Sequence, residues 1–363
     1  MSIPHSEFAP RVIVWQRQHG RHGLPWQVSD PYKIWLSEIM LQQTQVSTVL
    51  GYYSAFLQRF PDVAALAAAP VDDVLAAWSG LGYYSRARNL HRAARQVVEQ
   101  HGGQFPADPA GLVSLPGIGR STAAAIAAFA FGQRSAILDG NVKRVLTRCY
   151  GVEGWPGDKT VENQLWALAE QLLPRDAASM VAYTQGLMDL GSQVCVRGQP
   201  QCPRCPLNSG CVALASQRTR SLPTARPRKV QPQRSTLMLL ARSQDGQVWL
   251  ERRPPSGIWG GLWSLPQLDS PEALPGWLAQ AGWPHARLAP AWPAVQHVFT
   301  HFRLTLTPQP LMLEHAEPGP DNGQWWPLAQ ALALGLPAPI RRLLAECGQG
   351  RIGEMQKNLD LDA

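Results

Sequence analysis

The sequence predicts two folded parts of different class, a mainly α N-terminal region over residues 1–215 and an α+β domain over residues 235–347. Three observations predict this. Ala- and Leu-rich segments with helical spacing, punctuated by Gly and Pro, fill the first 215 residues. Residues 216–234 lose all apolar periodicity and are dominated by Arg, Pro, Ser, Thr and Gln, the composition of a linker. From Ser235 onward, short runs bounded by turn residues replace the helical spacing. At 363 residues the chain is long enough for two or three domains, each with its own core.

The elements follow in order. Asp30-Pro31 reads as an N-cap with proline at the first helical position, opening a helix expected to run through Glu38 to Val49. Further helices are expected over Asp72–Trp78, Arg86–Gln100, Ser121–Phe131, Val142–Cys149 and Val161–Leu172. Beyond the linker, strands at 235–242 and 247–253 are joined by a Gln244-Asp245-Gly246 turn, and 301–307 alternates like a half-buried strand. Short helices are expected at 274–281 and 340–347, and residues 348–363 read as a flexible tail.

Charge is unevenly spread. Residues 1–215 carry 18 Lys and Arg against 15 Asp and Glu, residues 216–235 carry six against none, and residues 236–363 carry nine against 11. A wholly basic stretch between near-neutral blocks suits contact with a polyanion, nucleic acid first, or a solvated linker. No apolar run is long enough to span a bilayer. The first residues lack the basic start and apolar stretch of a signal peptide, so a soluble, cytoplasmic protein without a membrane partner is expected.

Cys195, Cys202, Cys205 and Cys211 are spaced C-x6-C-x2-C-x5-C within 17 residues. In a reducing compartment so tight a group suits one metal centre, either a zinc tetrahedron or a four-iron cluster. Two carboxylates attract attention for another reason. Breaking a glycosidic bond needs an acid for the leaving group and a carboxylate facing the developing oxocarbenium ion. Glu38 lies among apolar and neutral neighbours, where desolvation raises its pKa, whereas Asp139 enters a helix beside Lys143 and Arg144, a setting that favours its ionised form. The plain alternatives are a surface charge for Glu38 and an N-cap for Asp139. In Leu115-Pro116-Gly117-Ile118-Gly119, the glycines permit a turn whose N–H groups face a phosphate at a helix start.

The cysteine spacing, with 114–126 upstream of it, resembles the endonuclease III superfamily of DNA glycosylases, whose helix-hairpin-helix and [4Fe–4S] loop occupy these positions. Segments 36–46, 80–91 and 138–145 are similar to the adenine-specific mismatch (MutY-type) branch. The resemblance implies a helix-hairpin-helix glycosylase with an iron–sulfur loop at 195–211, joined to a nudix-like domain. It implies that Glu38 is the general acid at N7 of adenine, that Asp139 stabilises or covalently traps the oxocarbenium ion, and that Asn141 bonds near the sugar. Tyr83 and Gln42 would wedge into the stack as adenine is flipped. Trp26, Gln27, Leu41, Gln43, Thr44, Leu81, Arg86, Gly117, Gly119, Ser121 and Gln185 complete the expected DNA and substrate contacts. Ser121 stands where relatives with lyase activity carry lysine, and a hydroxyl cannot form a Schiff base, which implies base removal only.

The C-terminal third resembles the family's nudix-like domain that reads 8-oxoguanine opposite the adenine, with Phe299, Thr300 and His301 as the inserting loop. Between Gly257 and Ala289 the only acids are Asp269 and Glu272, too few for the magnesium-binding helix of a nudix hydrolase, so the domain is expected to bind without hydrolysing. The implied partner is duplex DNA with an A:8-oxoguanine or A:G mispair, and the implied state a monomer. The rival readings are a bifunctional pyrimidine-lesion glycosylase/lyase and a non-catalytic damaged-DNA binding protein.

Overall fold

A computed structural model describes residues 2–227, 230–299 and 301–348; Thr300 and the expected tail beyond Gly348 lie outside the described residues. The chain divides into two units, Met1–Ala68 with Asn89–Arg228, and Ala69–Arg88 with Lys229–Ala363.

The first unit is helical. It contains α1 (His5–His19), α2 (Pro31–Leu41), α3 (Val46–Arg59) and α4 (Val63–Ala68), while α5 (Val71–Ala77) belongs to the second unit. After α6 (Ser85–His101) come α7 (Pro109–Val113), α8 (Arg120–Phe131), α9 (Gly140–Tyr150), α10 (Lys159–Gln171), α11 (Met180–Asp189) and α12 (Val212–Ala215). Phe8 and Val12 of α1, Val142, Val145 and Leu146 of α9, Leu165 of α10 and Tyr183 and Leu187 of α11 form one buried cluster. Such burial is the main stabilising term available to short helices that are marginal alone.

Local chemistry sets the helix starts. Asp30 accepts from the N–H groups of Tyr32 and Lys33, and Pro31 follows it, as expected. The single helix expected through Val49 is instead two. Gln43 takes a left-handed φ of 57°, and Thr44 donates its N–H to Leu41 O and its hydroxyl to Gln42 O, so a turn replaces the helical ladder at 42–45. The segment read as a linker is also folded at its start. Leu222 is buried and accepts Arg148 Nε at 2.8 Å, Arg218 pairs with Glu153, and Arg226 lies over the ring of Trp155.

The second unit carries β1 (Gln233–Ser243), β2 (Gln247–Arg252), β3 (Trp263–Ser264), β4 (Gln267–Leu268), β5 (Arg287–Leu288), β6 (Val295–Val298), β7 (Arg303–Leu313) and β8 (Gly323–Pro327), with α13 (Leu274–Ala281), α14 (Leu328–Ala331) and α15 (Ala338–Gly348). They form one mixed sheet of order β3-β2-β1-β7-β5, with β4 on β1, β6 on β7 and β8 on β2. β1 and β7 run parallel from Gln233↔Arg303 to Ser243↔Leu313. β1 is buried on both faces. Leu237, Leu239 and Ala241 pack with Leu274 and Leu278 of α13 and a cluster of Trp249, Trp283 and Trp325, while Arg242 on the other face interacts with Cys347 of α15. The strand expected from His301 starts at Arg303, because Phe299 N–H donates to Phe302 O at 2.9 Å and closes a tight turn there. Among the described residues no helix is long and apolar enough to cross a membrane.

Candidate active site

α2, the loop before it and α11 enclose a cavity of about 480 Å³ in the first unit. Trp26, Gln27, Glu38, Leu41 and Gln185 line it, so five of the sequence-predicted residues meet in one place. Its volume falls within the range of small-molecule sites.

Glu38 is half-buried and lines the cavity. Burial, with a smaller contribution from the charge of Asp139, pushes its pKa up to about 8. Asp139 is not a cavity-lining residue, though its charge adds to the raised pKa of Glu38. Asp139 is also the N-cap of α9, as the cap reading expects. Oδ1 accepts both Asn141 N at 2.9 Å and Val142 N at 2.8 Å, which leaves Oδ2 for other work.

One expectation needs correction. Burial raises the pKa of Asp139, outweighing the lowering by the two backbone amides and by Arg144 and Lys143. The setting therefore does not simply favour the charge. Of the pair, however, only Asp139 receives amide donors and cationic neighbours, so it is the carboxyl that ionises first and Glu38 the one that keeps the proton.

Neighbouring groups are wired to this pair. Ser121 Oγ accepts Leu138 N–H at 2.9 Å and so pins the residue before Asp139. Asn141 Oδ1 accepts Arg144 Nη2 at 2.8 Å, and a Cβ on Gly191 would stand 2.5 Å from Asn141 Cβ, so only glycine allows this approach. In the turn after α2, Gln42 Nε2 donates to Thr122 Oγ1 at 3.4 Å, and Gln43 is exposed. The hairpin glycines differ from expectation. Gly117 has φ 83° with Asn89 Cβ at 2.8 Å from where its own Cβ would sit, whereas Gly119 has an ordinary φ and open space around it. The turn demands glycine at Gly117 alone; Gly119 caps α8 without a side-chain acceptor.

Sequence reasoning missed Arg21 and Asp189. Asp189 is fully buried and accepts Arg21 Nε at 2.6 Å, Arg21 N at 2.8 Å and Gln185 Nε2 at 2.8 Å. This fixes the orientation of the Gln185 amide in the cavity wall. Gln27 spans the adjoining loop, donating to Arg21 O and accepting from Leu24 N. The available signal was an acid between Met188 and Leu190 in an apolar helix, which requires a partner.

The four cysteines line one small enclosed cavity with Arg148 and Val194. A π-turn at 190–194 delivers Cys195, whose N–H bonds Leu190 O at 2.7 Å, and Arg148 donates to Cys195 Sγ and to the carbonyls of Val196 and Arg197. All four thiols are free of disulfides. Among the described residues no three His, Cys, Asp or Glu side chains are arranged to hold a single metal ion. Four thiols around one shared cavity have the donor set for a metal centre, either a zinc tetrahedron or an iron–sulfur cluster.

The remaining predicted residues belong to the second unit. Leu81 and Arg86 are buried there, and Tyr83 is 48% exposed on a left-handed φ of 49°. Tyr84 is buried, so the core-packing alternative weighed for the pair describes Tyr84 and not Tyr83. Phe299 stacks on Phe302 at 4.6 Å and meets Trp259 and His297, while His301 is exposed at the tip of the turn.

Residues 36–171 match the HhH-GPD superfamily of base excision DNA repair proteins, and residues 237–346 match the NUDIX domain. The adenine DNA glycosylase of Buchnera aphidicola subsp. Acyrthosiphon pisum (strain APS) is 34% identical over 341 residues, covering 93% of this chain and 96% of that protein. The Homo sapiens adenine DNA glycosylase is 34% identical, covering 88% of this chain and 70% of that protein. Among solved structures, a thermostable thymine-DNA glycosylase superposes with a TM-score of 0.52 at 28% identity, covering 58% of this chain and 97% of that one. An endonuclease III in non-covalent complex with DNA shares the fold at a TM-score of 0.50 and 21% identity, covering 60% of this chain and 99% of that one. With relatives 34% identical aligned along nearly its whole length, the chain belongs to the adenine DNA glycosylase family.

Proposed function

We propose that the protein hydrolyses the N-glycosidic bond of adenine mispaired with 8-oxoguanine or guanine in duplex DNA, and that it leaves the strand intact. The observation that carries this is Glu38, a carboxyl whose pKa is pushed up to about 8 where it lines a cavity large enough for a base, with Asp139 contributing to the rise. Glu38 gives its proton to N7 of the flipped adenine. The C1′–N9 bond breaks and its electron pair leaves with the base. Asp139, anchored through Oδ1, turns Oδ2 towards the oxocarbenium ion that forms at C1′. Water adds to C1′ and its proton passes to a carboxylate of the pair, giving free adenine and an abasic site. Ser121 offers no amine for a Schiff base, which supports the absence of strand cleavage.

Duplex phosphates meet the uncapped start of α8 and cations near the cysteine loop such as Arg197 and Arg204. Cys195, Cys202, Cys205 and Cys211 hold a [4Fe–4S] cluster whose contribution is to fold and position that loop. Phe299, Thr300 and His301 read the base opposite the adenine. The protein works as a monomer in the cytoplasm, at the nucleoid if the cell is bacterial. The division of labour follows a glycosylase domain over 1–215 and a recognition domain over 235–347 joined by 216–234, with residues 69–88 packing in the second unit and 216–234 folded at its start.

The test is incubation with an A:8-oxoguanine duplex, followed by a gel with and without hot alkali. Strand breaks are expected only after alkali, with no borohydride-trapped adduct. Breaks without alkali and a trapped adduct would indicate a lyase, and binding without any alkali-labile site would leave only a binding module.

A further inference from the structure

The turn that presents Tyr83 is built by residues the family comparison assigns to different domains. Ser79, Tyr83 and Tyr84 lie in the glycosylase match, 36–171, whereas Leu336 and Arg341 lie in the NUDIX match, 237–346. Yet all five belong to the same compact unit. The turn runs from the end of α5 at Ala77 to the start of α6 at Ser85, and Gly80, Gly82 and Tyr83 all take positive φ, at 104°, 71° and 49°. A tyrosine there persists only where its surroundings hold it.

The holding groups converge on one carbonyl. On the leading side, Ser79 Oγ donates to Leu336 O at 3.3 Å and accepts Arg341 Nη2 at 2.8 Å. On the trailing side, Tyr84 Oη donates to the same Leu336 O at 2.9 Å and accepts Gly80 N at 3.4 Å. Arg341 also donates to the carbonyls of Leu332 and Leu334, so the 332–336 loop is itself braced. The base of the turn is thus pinched from both sides. Two further struts flank it, Arg88 Nη1 to Gly260 O and Arg252 to Asp72, each 2.5 Å. Inside the turn, Arg86 donates to Leu81 O and Gly82 O and lies over the rings of Trp78 and Tyr83.

We propose that Ser79, Tyr84 and Arg341 are positioning residues, which use Leu336 of the NUDIX-like domain to hold the 80–83 turn and present Tyr83 for extruding the target nucleotide. The domain that reads the opposite base would then also set the rigidity of the extruding residue. This inference rests on the proposed glycosylase function and on Tyr83 acting as the wedge.

The experiment uses the full chain and a duplex with 2-aminopurine opposite 8-oxoguanine, whose fluorescence rises on extrusion. A Tyr84→Phe/Ser79→Ala double variant removes two hydroxyls, and Arg341→Met tests the brace separately. At saturating protein and well below the melting temperature, the extruded fraction is expected to fall about three- to tenfold, as for the loss of one or two hydrogen bonds. Affinity for an abasic product duplex, which needs no extrusion, should hold, and Arg341→Lys should recover part of the signal. Wild-type extrusion in both variants would overturn the latch, as would losses of extrusion and product affinity in equal measure, the mark of a merely structural role. If wild-type protein releases no adenine from the A:8-oxoguanine duplex, the parent reading fails instead, so the two failures are distinguishable.

Discussion

The proposed reacting pair in the first unit and the proposed reading residue Phe299 in the second are held in opposite ways. Asp139 is fixed by the two amides that follow it in sequence, and Glu38 by its place on a helix whose cap is eight residues upstream. Phe299 is instead held in part by a ring from a distant part of the chain, Trp259 at 5.6 Å on a left-handed φ of 56°, besides its near neighbour Phe302 at 4.6 Å. Local wiring gives carboxyls whose position survives motion elsewhere. Long-range wiring makes the placement of Phe299 depend also on Trp259. Changes at the carboxyl pair should therefore alter the rate of bond breaking, and changes at Phe299 should alter which opposite base is preferred.

The largest expected effect lies in the carboxyl pair. Glu38→Gln removes the acid and Asp139→Asn the countercharge, and each should lower single-turnover adenine release by about 10²–10⁴-fold. Asparagine caps a helix as well as aspartate does, so Asp139→Asn should melt close to wild type. A large fall in melting temperature would mean that the cap, and not the charge, is what the reaction needs.

Next comes pH. Because Glu38 titrates at about 8, its protonated fraction and the rate should fall roughly tenfold per pH unit above that value. The stability effect has a definite sign. Between the ordinary carboxylate value of 4.5 and about 8, the folded protein binds a proton that the unfolded chain has released, so stability falls as pH rises through that window. Glu38→Gln should flatten that decline; an unchanged slope in thermal melts would place the raised pKa elsewhere.

The second unit supplies the contrast. Phe299→Ala should reduce the preference for A:8-oxoguanine over A:G by about tenfold, the scale of one lost stacking contact, with little change on A:G itself. Equal losses on both duplexes would erase the distinction between reacting and reading parts.

Legibility in the sequence follows the same division. The caps at Asp30 and Asp139, the cysteine spacing and the apolar setting of Glu38 are contacts within a few residues, and short-range rules capture them. The break of the first expected helix at Gln43 was hidden, since a left-handed glutamine carries no compositional mark. Asp189 with Arg21, 168 residues apart, and the grouping of 69–88 with the β-domain depend on tertiary pairing that spacing cannot encode. Burial of Asp139 was misjudged for the same reason: adjacent cations are visible in the sequence, while the protein that desolvates the carboxyl comes from elsewhere.

The smallest effect probes how far local wiring extends. The Ser121 hydroxyl accepts the N–H of Leu138, a buried residue directly before Asp139. Ser121→Ala leaves that N–H without its acceptor, at a cost of about 1–3 kcal/mol in stability. If the bond also sets where Oδ2 of Asp139 points, adenine release should slow severalfold while duplex affinity holds, because the charge remains and only its aim is disturbed. A stability loss with an unchanged rate would show that the two amides of α9 alone position the carboxylate, and that the path from hairpin to aspartate ends at Leu138.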